Sequence, residues 1–242
     1  MPSLQGRHVL VTGGTTGIGR AAARLLAAAG AEVFIFGRHE PELRDALAAL
    51  AEQGAKAGGV VADVAEKKDV QRVFREARKA FGTLDILVDN AGIAGEAVAD
   101  MADDEWRYVI ETNLVGAMSC ARESLRWMRE GEGGHIVIIG SMSAERKGAD
   151  SSVYVAGKSG LRGFAESFHK EARKEGVKVT LIEPGQTGSD MQDSSPTEQR
   201  EEIREGSMLR AEDIAVAVHY CVTQPHRCDV TFMQIRPHVE SH

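Results

Sequence analysis

Short β-branched runs separated by longer stretches of helical periodicity constrain this chain more than any single motif. Residues 8–12, 32–36, 57–62, 84–90, 135–140, 177–182 and 230–235 read as strands. The segments 17–29, 41–53, 67–81, 103–130, 152–175 and 211–223 carry apolar residues at helical spacing. Strand and helix alternate from end to end. A strand that runs parallel to its predecessor needs a crossover, and the crossover helix must bury its apolar stripe against one face of the sheet. The pattern predicts an α/β fold, a seven-stranded parallel sheet wound on both faces with right-handed crossovers.

At 242 residues and 43% apolar content the chain suits one domain over residues 1–242, with no compositional break. Its formal charge is -7 with both signs interspersed, which leaves no basic stripe for nucleic acid. The start, Met1 to Arg7, has no charged-then-apolar leader, and no apolar run approaches a membrane span. The expectation is a cytoplasmic protein without membrane contact. Cys120, Cys221 and Cys228 lack paired metal spacing, so no metal site is expected and the first two read as core. Residues 186–208 resist assignment. They are polar, broken by Ser194-Ser195-Pro196, and read as a substrate-loop insertion with a short helix around 198–205.

In such a sheet ligands bind beyond the carboxyl ends of the strands. The first strand runs into Thr12-Gly13-Gly14-Thr15-Thr16-Gly17-Ile18-Gly19 and then into a helix. Glycines there let the backbone turn tightly and approach a pyrophosphate, which the helix N-terminus stabilises. The second strand ends Phe36-Gly37-Arg38-His39. A carboxylate at this point would hold the ribose hydroxyl of NAD, whereas a guanidinium accommodates the 2′-phosphate of NADP. Gly37 followed by Arg38, with the hydroxyls of Thr15 and Thr16 nearby, favours NADP over NAD. A surface ion pair of Arg38 with Glu40 or Glu42 is the bland alternative.

Tyr154 and Lys158 stand four residues apart at the start of a predicted helix, and Ser141 closes the fifth strand. Side chains at that spacing share one helix face. A phenol ordinarily keeps its proton at pH 7. An ammonium about 4 Å away, at an effective dielectric of about 20, favours the phenolate by about 4 kcal/mol. The pair is therefore a plausible acid/base device, although the same spacing occurs on solvated helix faces.

Taken together, Thr12-Gly13-x-x-x-Gly17-x-Gly19, Asn90-Ala91-Gly92, Asn113, Ser141, Tyr154-x-x-x-Lys158 and Pro184-Gly185 closely resemble the short-chain dehydrogenase/reductase family, NADP-preferring type. The resemblance covers about residues 6 to 236 and implies a Rossmann-like fold. It further implies that Asn113, Ser141, Tyr154 and Lys158 are the catalytic tetrad, with Asn113 supporting a water that links Lys158 to solvent. Gly13, Thr15, Thr16, Gly17, Ile18 and Gly19 would bind the cofactor, the glycines at its pyrophosphate, and Asp63 and Val64 would contact the adenine. Asn90, Ala91 and Gly92 would line the cofactor cleft. Tyr154 and Lys158, with Pro184, Gly185, Thr187 and Ser189, would face the nicotinamide end. The implied reaction is NADP(H)-dependent hydride transfer to or from a small carbonyl or secondary alcohol, such as a 3-hydroxy acid.

Two departures from the family pattern matter. After Pro184-Gly185 the chain reads Gln186-Thr187-Gly188-Ser189, keeping a hydroxyl for the carboxamide, and the C-terminal segment lacks the glycine-rich tail of many acyl-carrier reductases. That ending argues against a 3-oxoacyl-acyl-carrier-protein reductase, which stays as the alternative beside an epimerase or dehydratase and a non-catalytic dinucleotide sensor. Pocket walls are expected from residues 93–98, 142–150 and 186–208, with Met142, Met191 and Met208 as apolar lining. Glu145, Arg146 and Lys147 either steer a charged substrate or are solvated, and a carboxylate received by Arg146 or Lys147 would fit a hydroxy-acid substrate. The resemblance also implies a homodimer or homotetramer through the helical stretches 103–130 and 152–175, where small residues such as Gly157 and Gly160 would permit close approach unless they pack only against their own sheet.

Overall fold

The structure, a computed structural model, describes residues 3–189 and 194–239. Seven strands, β1 (His8–Thr12), β2 (Glu32–Gly37), β3 (Ala57–Val61), β4 (Ile86–Asp89), β5 (Gly134–Ile139), β6 (Val177–Pro184) and β7 (Phe232–Ile235), form one parallel sheet in the order β3-β2-β1-β4-β5-β6-β7. The fold is Rossmann-like. The strand order reverses between β1 and β4, which opens a crevice at their carboxyl ends.

Both faces of the sheet are buried because side chains alternate along each strand. Leu10, Phe34, Phe36, Ile136 and Ile138 point into one core, under α3 (Lys67–Phe81), α5 (Ala117–Met128) and α6 (Ser152–Ala172). Val9, Val11, Val33, Ile35, Val137 and Ile139 point into the other, under α1 (Gly17–Ala28), α2 (Glu40–Glu52) and α8 (Ala211–Val222). Cys120 and Cys221 belong one to each core.

Several elements differ from the sequence expectation; β4, for one, spans Ile86–Asp89 rather than 84–90. The stretch 103–130 is not a uniform helix: α4 (Asp103–Ile110) passes into a π-helical turn, Glu111–Gly116, before α5. The π turn packs tightly against the segment that follows β3, since a Cβ on Gly116 would stand 2.8 Å from the Val64 carbonyl oxygen. β7 is two residues shorter than expected, because Val230 and Thr231 meet β6 through single hydrogen bonds, Thr180 Oγ1 to the Val230 carbonyl and Leu181 N to the Thr231 carbonyl. Within 186–208, α7 (Pro196–Glu205) starts earlier than 198. Ser195 caps it while Glu198 returns a bond to the Ser195 N–H, and Pro196 occupies the first turn, where no N–H is needed. Of the residues expected in this loop, Met191 lies outside the described residues.

Candidate active site

The turn between β1 and α1 depends on residues without side chains. Gly13 and Gly17 have φ of 60° and 50°, the left-handed region that only glycine enters cheaply. A Cβ on Gly19 would collide with the Gly13 carbonyl oxygen and Asn90 Nδ2, so the helix sits against the turn itself. Thr16, the residue preceding α1, offers no side-chain cap, and the first turn holds no acid. The N-terminal N–H groups of α1 are thus left for an anion, at the positive end of the helix dipole.

Threonine and asparagine lace β1 to β4 at the crevice. Asn90 N and Ala91 N each donate to Thr12 Oγ1 at 2.8 Å, and Asn90 Nδ2 donates to the carbonyls of Thr12 and Gly13. Thr12 Oγ1 in turn donates to Asp89 Oδ1 at 3.1 Å, while Asp89 Oδ2 is buried without a partner. Burial pushes the Asp89 carboxyl up to about 7, with the Thr12 hydroxyl and the Lys158 charge pulling the other way.

At the other end of the crevice, Gly37 makes room for Thr15. A Cβ at position 37 would stand 2.5 Å from Thr15 Oγ1, and the absence of a carboxylate there has a steric reason. Arg38 Nη1 donates to the Tyr108 hydroxyl at 2.8 Å, and that hydroxyl donates to Asp63 Oδ2 at 2.5 Å. Among the described residues no ion pair joins Arg38 to Glu40 or Glu42. Sequence reasoning missed Tyr108, whose only signal is its position on α4 opposite the ends of β2 and β3.

Ser141, Tyr154 and Lys158 converge on one cavity of about 460 Å³, which Ile18, Asn90, Gly92, Pro184, Gly185, Thr187 and Ser189 also line. Ser141 follows β5 and accepts from Ser143 N at 3.1 Å. Tyr154 and Lys158 lie on the first turns of α6, with Lys158 Nζ 5.8 Å from the centre of the Tyr154 ring. Lys158 is 3% exposed and donates to the Ile139 carbonyl at 3.1 Å. Asn113 does not line the cavity. It sits in the π turn, its Oδ1 accepting from Ile93 N and its Nδ2 donating to Ile93 O, both at 2.8 Å. That pair of hydrogen bonds pins the backbone just beyond Gly92, on which a Cβ would stand 3.2 Å from Asn113 Oδ1 and 3.4 Å from Lys158 Nζ.

Of the remaining expected residues, Gly13, Thr15, Thr16, Gly17, Gly19, Arg38, Asp63, Val64 and Ala91 form the crevice beyond this cavity rather than its lining. Met142 and Arg146 line it; Met208 is core, 3% exposed. Glu145 is drawn to Gln234, not to the cavity. Ser207 lines the cavity from within the expected wall 186–208, whereas Pro237 is a lining residue that sequence reasoning did not anticipate, because a chain segment far from the motifs carries it in. Among the described residues no cluster of three or more His, Cys, Asp or Glu is placed to hold a metal, and no helix is long and apolar enough to cross a membrane.

A doubly wound parallel sheet with an open glycine turn at its switch point and a Ser-Tyr-Lys cavity beside it defines an oxidoreductase of the nucleotide-binding α/β class. Residues 7–200 match the short chain dehydrogenase family, and the chain belongs to it. It is 34% identical over 239 residues to an uncharacterized oxidoreductase of Staphylococcus aureus (strain MRSA252), covering 98% of this chain and 100% of that one. It is 35% identical over 222 residues to the 3-oxoacyl-[acyl-carrier-protein] reductase of Haemophilus influenzae, covering 90% of each. Among solved structures, a short chain dehydrogenase from Burkholderia cenocepacia in complex with NADP is 32% identical, with a TM-score of 0.87 over 97% of this chain and 98% of that one.

Proposed function

We propose that this chain is an NADP(H)-dependent oxidoreductase that interconverts a small carbonyl compound and its secondary alcohol. The observation that carries the reading is the convergence of Ser141, Tyr154 and Lys158 on one cavity that Ile18 of the glycine turn also lines. Bound NADPH would supply the hydride that reduces the carbonyl carbon. The chain's own residues do the rest. Ser141 Oγ holds the carbonyl oxygen, and Tyr154 gives its proton to that oxygen as the alkoxide develops. Lys158 sets a positive charge beside the phenol, which favours release of that proton. Asn113 fixes the loop carrying Gly92 against Lys158.

The crevice suits the cofactor. The uncapped first turn of α1 would receive the pyrophosphate, and Gly37, Thr15 and Arg38 would face the 2′-phosphate, with Asp63 and Val64 at the adenine. The NADP complex of the B. cenocepacia relative supports the same choice. Arg146 in the lining suits a substrate with a carboxylate, such as a 3-hydroxy acid. We read the chain as one cytoplasmic domain whose segment 186–208 covers the substrate, and as a homodimer or homotetramer formed through α4, α5 and α6.

A second reading, reduction of 3-oxoacyl thioesters, is favoured by the H. influenzae relative. The deciding experiment is a panel of ketones, keto acids and a 3-oxoacyl thioester followed at the NADPH absorbance. Turnover of a small ketone or keto acid supports the first reading, thioester-only turnover the second. NADPH binding with no turnover anywhere supports a sensor instead.

A further inference from the structure

The contacts at the adenosine end of the crevice centre on a residue outside every motif. Tyr108 sits on α4, 70 positions from Arg38 and 45 from Asp63, yet bonds to both. We propose that Tyr108 is a positioning residue that presets the Arg38 guanidinium for a 2′-phosphate and so sets how strongly the chain prefers NADP over NAD. The proposal rests on the cofactor reading above.

Arg38 is exposed just past the end of β2, with a long and flexible side chain that would otherwise sample many rotamers. Two contacts with one tyrosine limit it: its Nη1 bonds the hydroxyl at 2.8 Å, and its guanidinium carbon lies 5.7 Å from the ring centre. The hydroxyl is itself oriented, because its proton goes to Asp63 Oδ2, which turns its lone pairs toward Arg38. Asp63 cannot follow a moving partner. Its Oδ1 accepts from Ala65 N at 2.9 Å, and its own N–H donates to Asp69 Oδ2 at 2.8 Å. The ends of β2 and β3 and the helix α4 are thereby joined into one frame.

The frame also leaves Arg38 its binding capacity. A guanidinium carries five N–H donors and Tyr108 takes one, so a forked pair remains for phosphate oxygens. An arginine already held in place forfeits less freedom when the phosphate arrives. A ligand with a bare 2′-hydroxyl gains nothing from that placement.

The test is equilibrium binding of NADPH and of NADH, read by nicotinamide fluorescence, to the wild-type chain, Tyr108→Phe and Arg38→Ala, with thermal melting to confirm that each variant is folded. Tyr108→Phe keeps the ring and removes only the hydroxyl. The expected result is NADPH affinity lower by about fivefold with NADH affinity unchanged within about twofold, the size of one hydrogen bond. Arg38→Ala should bring the two affinities together. If Arg38→Ala removes the preference but Tyr108→Phe leaves it intact, or weakens both cofactors equally, Tyr108 does not position Arg38 and the inference is wrong. If Arg38→Ala leaves the preference unchanged, the 2′-phosphate reading itself fails and takes the inference with it.

Discussion

Thr15 and Gly37 occupy one another's space: a side chain at 37 would press its first carbon to 2.5 Å from Thr15 Oγ1. On the cofactor reading proposed above, this keeps a carboxylate away from the ribose and presents a hydroxyl instead. An Arg38→Asp substitution therefore should lower NADPH affinity by about tenfold or more and improve NADH relative to it, since it replaces a charge-assisted bond with repulsion. Binding titrations with both cofactors decide this, and an unchanged ratio rules out Arg38 as the reader of the 2′-phosphate.

Asp89 gives the chain an uphill term in alkali. Its carboxyl is pushed up to about 7 in the fold, against 3.8 for an ordinary aspartate, because burial disfavours the charged form. The neutral form is favoured, so the penalty is absent below pH 3.8, grows toward pH 7 and stays constant above it. At its largest it is about 4 kcal/mol. Asp89→Asn, which keeps the acceptor for Thr12, should raise the melting temperature at pH 8 and leave it nearly unchanged at pH 4.

His135 acts in the opposite direction. Its Nε2 lies 2.7 Å from Thr180 Oγ1, whose proton goes to the Val230 carbonyl, so Nε2 carries the hydrogen and donates. Burial and the nearby Lys178 charge push the imidazole down to about 4 from 6.5. Folding stability from the neutral ring is complete above pH 6.5 and is lost as pH falls toward 4, by about 3 kcal/mol in all. Melting curves at pH 7 and pH 4.5 should show a smaller acid-induced drop for His135→Gln than for the wild-type chain.

Val115 and Met118 are 40% and 42% exposed on the π turn and the start of α5, an apolar step on the face expected to meet a second copy. Light scattering should give a mass that is a multiple of the 26.1 kDa chain, and Met118→Glu should reduce it toward one chain. A wild-type monomer at micromolar concentration contradicts the assembly.

The sequence made the sheet and most of the cavity readable because both rest on local patterns. Alternation of strand and helix, glycines leaving β1 and a tyrosine one helical turn before a lysine each act within a few residues. Ser195-Pro196-x-Glu198 was a local signal too, and marks where α7 begins. What stayed hidden depends on distant pairs. Asn113, inside the π turn, bonds to Ile93, 20 positions away, and the turn has no mark in composition. Tyr108 gains meaning only when folding brings it to Arg38 and Asp63. Asp89 was in plain view beside Asn90, but its raised carboxyl depends on burial that only the packed β1–β4 junction provides.

The account stands or falls on Tyr154 as the proton donor beside the bound cofactor. The direct measurement is NADPH binding and single-turnover reduction of an accepted carbonyl by wild type and Tyr154→Phe. The variant should bind NADPH within about twofold of wild type while its reduction rate falls by about 100-fold or more, the usual size of a lost general acid. A rate within about tenfold of wild type, at equal NADPH occupancy, would contradict it.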